Sequence, residues 1–450
     1  MDRFDWQQES PSTWIRALDP TELHFIRMRN KYLHHGKEWG MLSTILKLDT
    51  PIASDDFLAR AALAWKWTRA RHPTLASLLS DDETKRVYHV VDTTQLGNWL
   101  EETFVVHGSG TDNYAEAEHW RRSMKPVRRA TLHVFPVAQE LLLQTSHHQV
   151  DAHCIFNIAN GILDLLDKPP QRDPEFGLEE QLLAPPPSVA AKYPAPTPEQ
   201  KSRCQQEINK WVSGFPSNGI GASNVRDPPG DTRWQRMVLS SEDSAAVLAA
   251  AKSHGFTPTH VLEGAAIVAA RQIEKGMKGI DEDWNSCSCG LFSLRPWCSS
   301  EFRDATAPYV TFFPQLVTPG SFMETAAQLK QHYVQWKDKG QDLLASIEPI
   351  LEGFATMSSE SSEPNQMLSV SSFGRLEPRL ESMHGSVSLR DFVFVYETPD
   401  AGITSFSWTK QGQLSWAVCY NEAYHLDDTI AMWITLTRAT LLQGLEVDGR

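Results

Sequence analysis

The residues of this chain whose types and spacing suit chemistry are gathered in one stretch, Ser146-His147-His148-Gln149-Val150-Asp151-Ala152. An imidazole titrates near neutrality, so His147 can take a proton from an attacking hydroxyl or amine at pH 7 without extensive tuning. Asp151, four residues on, has two options: it orients the ring, as in a hydrolase triad, or it fixes the turn through another partner. Spacing alone carries little. With 16 His in the chain, about one His-x-x-x-Asp arises by chance, and one is found.

The flanking elements supply the context. Residues 130–135 (ATLHVF) and 141–145 (LLLQT) are apolar runs joined by Pro136-Val137-Ala138-Gln139, a hairpin that delivers His147 at a strand end. After Asp151, the apolar residues Ile155, Phe156, Ile158, Ala159, Ile162, Leu165 and Leu166 recur at helical spacing, and Lys168-Pro169-Pro170 stops the helix.

This layout resembles the superfamily of CoA-dependent acyltransferases, which includes condensation domains, plant BAHD enzymes and trichothecene acetyltransferases and carries an HxxxDG motif after such a hairpin. The DFGWG motif of the BAHD branch is absent, and Asp19-Pro20-Thr21-Glu22 with the order of elements looks closest to the trichothecene 15-O-acetyltransferase-like group. The resemblance implies an α/β (α+β) fold of two pseudo-symmetric chloramphenicol-acetyltransferase-like halves, each a mixed sheet flanked by helices, with the active site in a tunnel between them. It implies an acyl group, acetyl in the first instance, passed from acyl-CoA to a hydroxyl of a small secondary metabolite, with His147 as general base. A thioester is activated enough to need no covalent enzyme intermediate, which agrees with the lack of a GxSxG turn. Asp151 is then structural and pairs with Arg295, which ends the run Gly290-Leu291-Phe292-Ser293-Leu294-Arg295. Ser371, Ser372 and Gly374, in a Ser-Ser-x-Gly loop, and the extra ring of His148 are candidates for the oxyanion or the tunnel wall. Two departures stand out: Ala152 replaces the motif glycine, which would narrow the turn, and Ser146 stands where condensation domains have their first histidine.

No tightly bound cofactor or metal is expected; acyl-CoA is a co-substrate. A carrier protein in trans is the alternative donor, making the chain a condensing or offloading enzyme, and a third class uses the fold non-catalytically or for a cyclisation. The formal net charge of -14 excludes wholesale nucleic-acid or anionic-membrane binding. Without a secretory leader or an apolar run near ~20 residues, a cytoplasmic monomer is expected. The six cysteines have neither zinc nor CxxC spacing and read as free thiols.

The 450 residues, 41% hydrophobic, suffice for two cores. The division expected is 1–185 for the half with the motif, 186–232 for a crossover linker crowded with prolines, and 233–450 for the other half. In the first half a strand over 41–48 should bury one face, a helix spans 55–71 and a strand 85–92. In the second, a capped helix pair begins at Ser240 and Thr257. Strands follow at 309–317, 367–374, 391–397, 403–408 and 413–421, with helices at 322–336 and 427–445.

Overall fold

Why the motif turn is rigid begins with the strand before it. In a computed structural model that describes residues 4–108, 116–222, 228–278, 284–356, 366–377 and 379–447, the strand Glu140–Ser146 is buried along its whole length. It pairs antiparallel with Thr131–Phe135 on one side and Met41–Asp49 on the other, so neither edge of its backbone is left without a ladder. The hairpin closes at Phe135 opposite Glu140, and Gln139 takes the left-handed conformation (φ 53°) that the tight return needs.

These strands are the middle of a six-stranded mixed sheet, ordered Met383–His384, Val387–Tyr396, Met41–Asp49, Glu140–Ser146, Thr131–Phe135, Phe104–Val106. The last pair is parallel. Met41–Asp49 buries consecutive residues from Met41 to Leu46, on both faces rather than the single face its alternation suggests. Its interior place in the sheet is the reason: Ser43 and Thr44, polar by sequence, are 4% and 1% exposed beside apolar neighbours. Helices Ser54–Arg71 and Ala152–Asp167 pack on each other, the first contributing Phe57, Ala61 and Trp65 to the core. The second contributes Ile155, Phe156, Ile158, Ile162 and Leu163.

Contacts divide the chain into two compact units. The first comprises Met1–Lys192, Ser293–Val310 and Glu377–Glu397; the second comprises Tyr193–Phe292, Thr311–Leu376 and Thr398–Arg450. Two stretches of the later sequence, one of them carrying Arg295, are therefore grouped with the motif. The proline-crowded stretch also behaves unlike a free linker: Leu183–Pro187 is buried, Trp6 donates to the Ala184 carbonyl (2.8 Å) and Tyr309 to that of Pro185 (2.9 Å). Prolines spend no backbone donor, so such a run can be buried wherever its carbonyls find partners.

The second unit holds a four-stranded sheet ordered Leu368–Arg375, Ile403–Lys410, Gln413–Asn421, Thr232–Val238, with the first pair parallel. Helix Pro258–Lys278, with Val261, Leu262, Ala265, Ala266 and Ala269 fully buried, packs against Asp427–Gly444 and Phe322–Lys337. Its small side chains permit that close approach. Helix Gln341–Ala355, which the sequence reading passed over, packs on Pro198–Val212. No described helix is long and apolar enough to cross a membrane.

Candidate functional site

From Glu140 to Asp151, His147 is the one residue that keeps part of its surface open; all the others are buried. The strand ends at Ser146, and the Gln149 N–H donates to the Ser146 carbonyl (3.0 Å) to close the turn. Asp151 then caps the helix, its Oδ1 accepting from the Cys154 N–H at 2.9 Å. Ala152 is the first helical residue. That position needs no left-handed backbone, so the alanine fits and the turn is not constrained by its methyl group.

The His147 imidazole lies flat on the Phe25 ring, centroids 4.3 Å apart at 11°, with the Tyr396 ring edge-on at 6.0 Å. Gly40 makes room for the latter: its φ is +84°, and a Cβ there would stand 2.9 Å from the Tyr396 hydroxyl oxygen. Nδ1 is enclosed. Burial pulls the His147 pKa below its ordinary value, against the smaller opposing pull of the main chain at His147 and Val150 and of the Asp151 charge. The ring is therefore neutral at pH 7, the form that accepts a proton.

Asp151 is engaged elsewhere. Arg295 Nη2 donates to both of its oxygens (2.8 and 2.9 Å) and Nε to Oδ2 (3.2 Å). The guanidinium also donates to the carbonyls of Arg303 (2.5 Å), Ala305 and Ala307 (3.3 Å each) and lies 5.0 Å from the centre of the Tyr309 ring. Burial alone would raise the Asp151 carboxyl, but the charge and hydrogen bonds of Arg295, with the Cys154 N–H, hold it below the usual carboxylate range. The pair joins residues 144 positions apart and lies inside the first unit rather than bridging two halves, because Ser293–Val310 returns to that unit. Arg295 opens a 3-10 turn, Arg295–Trp297, after the strand Ser286–Ser293. Cys154, beside Asp151, has its thiol pushed up to about 12 by burial and then by the Asp151 charge. It is no nucleophile at neutral pH.

His148 does not present a ring to a cavity wall. It is 4% exposed, and Arg86 Nη2 donates to both its Nδ1 (3.1 Å) and its carbonyl (2.8 Å). Since arginine only donates, Nδ1 accepts and the ring proton sits on Nε2. Burial, then the Arg86 charge, drives its pKa well down. Arg86 in turn meets Glu22 Oε1 (3.1 Å) and Ser77 Oγ (3.2 Å), and Glu22 takes two bonds from Arg16 (2.6 and 2.7 Å).

Ser371, Ser372 and Gly374 lie on Leu368–Arg375 in the second unit, at a register shift against Ile403–Lys410. Ser371 is half-buried and Ser372 exposed, the latter accepting from the Gly374 N–H at 3.3 Å. Gly374 has φ +68° with open space where a Cβ would go, so backbone conformation, not room, calls for glycine. Among the described residues no group of three or more His, Cys, Asp or Glu is placed to hold a metal.

Four residues around the turn escaped the sequence reading. Phe25 sits one turn beyond Glu22 in a helix whose capping box, Asp19 and Glu22, was the available signal. Arg86 alternates with Tyr88 on a short strand, and an Arg-x-Tyr face reads as solvent-facing, yet both are fully buried. Tyr396 ends a strand with no mark of its role. Glu38, 1% exposed and 3.8 Å from Arg29 Nε, has its pKa raised to about 7. Burial is the main cause; Ser146 and Arg29 oppose it, and Glu397 adds to it.

No family model matches the chain. Among curated proteins it is similar to the O-acetyltransferase pigM of Monascus ruber, 24% identical over 98% of this chain and 88% of the relative. It is also similar to the acetyltransferase pigO of the same organism, 23% identical over 98% of each. Among solved structures, trichothecene 15-O-acetyltransferase of Fusarium sporotrichioides superposes with a TM-score of 0.81 at 16% identity, covering 98% of both chains. The first condensation domain of the calcium-dependent antibiotic synthetase superposes with 0.62 at 13% identity, covering 96% of both.

Proposed function

We propose that this chain, which has the fold shared by trichothecene 15-O-acetyltransferase and condensation domains, transfers an acyl group from a thioester, acyl-CoA, to a hydroxyl of a small secondary metabolite. The observation that carries the reading is the single partly open imidazole of a buried turn whose aspartate is committed to arginine. That arrangement supplies one base and no triad.

In the proposed step the acceptor oxygen attacks the thioester carbon while His147 takes the hydroxyl proton. Nδ1 is enclosed, so Nε2 is the nitrogen assigned to the task. The new C–O bond gives a tetrahedral oxyanion. Its collapse breaks the C–S bond, and the leaving thiolate takes the proton back from the imidazolium, so that ester and free CoA thiol are the products and the base is restored. A neutral, desolvated imidazole starts this cycle unprotonated, and a general base of this kind contributes ~10²–10⁴-fold. Asp151, held by Arg295, keeps the turn in place rather than sharing the proton. The acetyltransferases among the relatives support acetyl as the acyl group, and the two O-acetyltransferases a hydroxyl as the acceptor.

The test is incubation of purified protein with acetyl-CoA and a panel of fungal secondary-metabolite alcohols, following free thiol and an acetyl mass increment together. Matched thiol release and ester formation support the reading. Ester formed from an acylated carrier protein, and none from acyl-CoA, would move the donor to the condensing class; no transfer from either would remove the acyltransferase reading.

A further inference from the structure

The helix Pro20–Asn30 reaches the motif turn by two routes, one to the ring of His147 and one to the main chain of the next residue. Glu22 and Phe25 are three apart and so share a helix face. Both are buried, at 1% and 6% exposure. Phe25 lies flat against the imidazole at 4.3 Å. Glu22 holds Arg86, which donates through Nη2 to the His148 carbonyl and ring at once. The helix itself is fixed at its start, where Asp19 caps Glu22 N and accepts from the Ser188 N–H at 2.9 Å.

We propose that this helix is the positioning element of the base: Phe25 seats the His147 ring, and Glu22 acting through Arg86 anchors the turn that carries it. The proposal rests on His147 being the base. Arg86 is wholly buried and cannot relax into water, so its two bonds to His148 and the Gln149–Ser146 turn bond together define where the ring leaves the backbone. Misplacement of a catalytic group by about 1 Å can cost ~10²-fold in rate. Phe25 covers one face of the ring and excludes water there. The other groups that face the turn are the Asp151 charge and the neutral His148 on its own segment, Arg86 and Arg29 beyond His148, the Glu38 carboxyl beside Ser146, and the Tyr396 ring from its strand. Baring the Phe25 face lets water solvate the imidazolium, so the ring then protonates at higher pH.

The experiment is an NMR titration of histidine-labelled protein, with the His147 signal assigned by its loss in His147→Gln, and it needs no turnover. Phe25→Ala should raise the His147 midpoint by at least ~0.5 pH unit with the far-UV spectrum unchanged. Phe25→Tyr, which keeps an aromatic face, should leave the midpoint in place. If Phe25→Ala does not fold, Phe25→Val bares part of the same face and should shift the midpoint in the same direction. Arg86→Lys, with one nitrogen in place of three, cannot hold Glu22, Ser77 and His148 together and should lower kcat about tenfold or more at unchanged KM. A His147 midpoint in Phe25→Ala or Phe25→Val equal to that of the unaltered protein would overturn the proposal. Turnover retained in His147→Gln would instead overturn the base assignment, whatever the titration shows.

Discussion

Replacing Arg295 by Met removes a cation that makes three close contacts to the two oxygens of Asp151 and reaches the carbonyls of Arg303, Ala305 and Ala307. Asp151 would be left at 2% exposure with the N–H and thiol of Cys154 as hydrogen-bond donors. An uncompensated buried charge costs about 3–5 kcal/mol, and each kcal/mol is worth about 2–4 °C of Tm in a unit of roughly 150–250 residues. A fall of about 10 °C in the first transition is therefore expected. Asp151→Asn should be milder, about 1.5–3 kcal/mol, because asparagine still caps the helix and Arg295 keeps its three carbonyls. The double variant should cost less than the two singles summed, by about 0.5–3 kcal/mol, since the unpaired charge is gone. The pH dependence has a definite sign. The folded-state pKa of Asp151 is depressed, so the stabilisation is present above the ordinary carboxylate pKa, about 4, and is lost as pH falls through the depressed value. The gap between Asp151→Asn and the unaltered protein should therefore narrow in acid. Thermal and urea unfolding of the four proteins at pH 7 and in acid supply the numbers. Additive losses, or a gap that widens in acid, would refute the buried-pair reasoning.

Glu38 has the opposite sign. Its folded-state pKa is raised to about 7, so ionisation weakens the fold as pH rises from about 4.5 to 7, by up to about 3 kcal/mol. Glu38→Gln should therefore be more stable than the unaltered protein at pH 8 and gain little at pH 5, as read from urea midpoints at both. Ala152→Gly should lose stability by about 0.5–1 kcal/mol and gain no activity, because residue 152 is helical; improved turnover would restore the idea of a crowded turn. The Ser371 and Ser372 hydroxyls are proposed as oxyanion donors on the sequence resemblance. Ser371→Ala should then lower kcat ~10²-fold or more at similar KM, and an unchanged kcat would remove Ser371 from that role.

What could be read from sequence follows from which residues have local signatures. The hairpin ahead of His147 and the helix after it are legible because apolar runs, a turn and 3.6-residue spacing agree over consecutive residues. The spans read as 131–135, 140–146 and 152–167 in the structure stand within a residue or so of those expected. Arg295 was legible as an arginine after an apolar run, although the strand starts earlier, at Ser286, stops at Ser293 and is only half-buried at Leu291 and Phe292. What surrounds the imidazole was not legible, because Phe25 and Tyr396 reach it, and Arg86 reaches the residue after it, from three separate elements through tertiary packing and no spacing rule links them. A buried Arg on a five-residue strand contradicts the usual meaning of alternating charge, and its Glu22, Ser77 and His148 partners offset the cost of its burial. The proline-rich segment reads as linker by composition, while its carbonyls accept from half-buried Trp6 and buried Tyr309.

The most direct measurement of the central claim is the acetyl-transfer rate of His147→Ala against that of the unaltered protein, with thiol release and ester mass followed in the same samples and folding checked by circular dichroism. A loss of ~10²–10⁴-fold in a folded variant is predicted for the removal of a general base. A folded His147→Ala that keeps more than about a tenth of the rate would contradict the account, since a base worth ~10²-fold or more cannot be removed so cheaply.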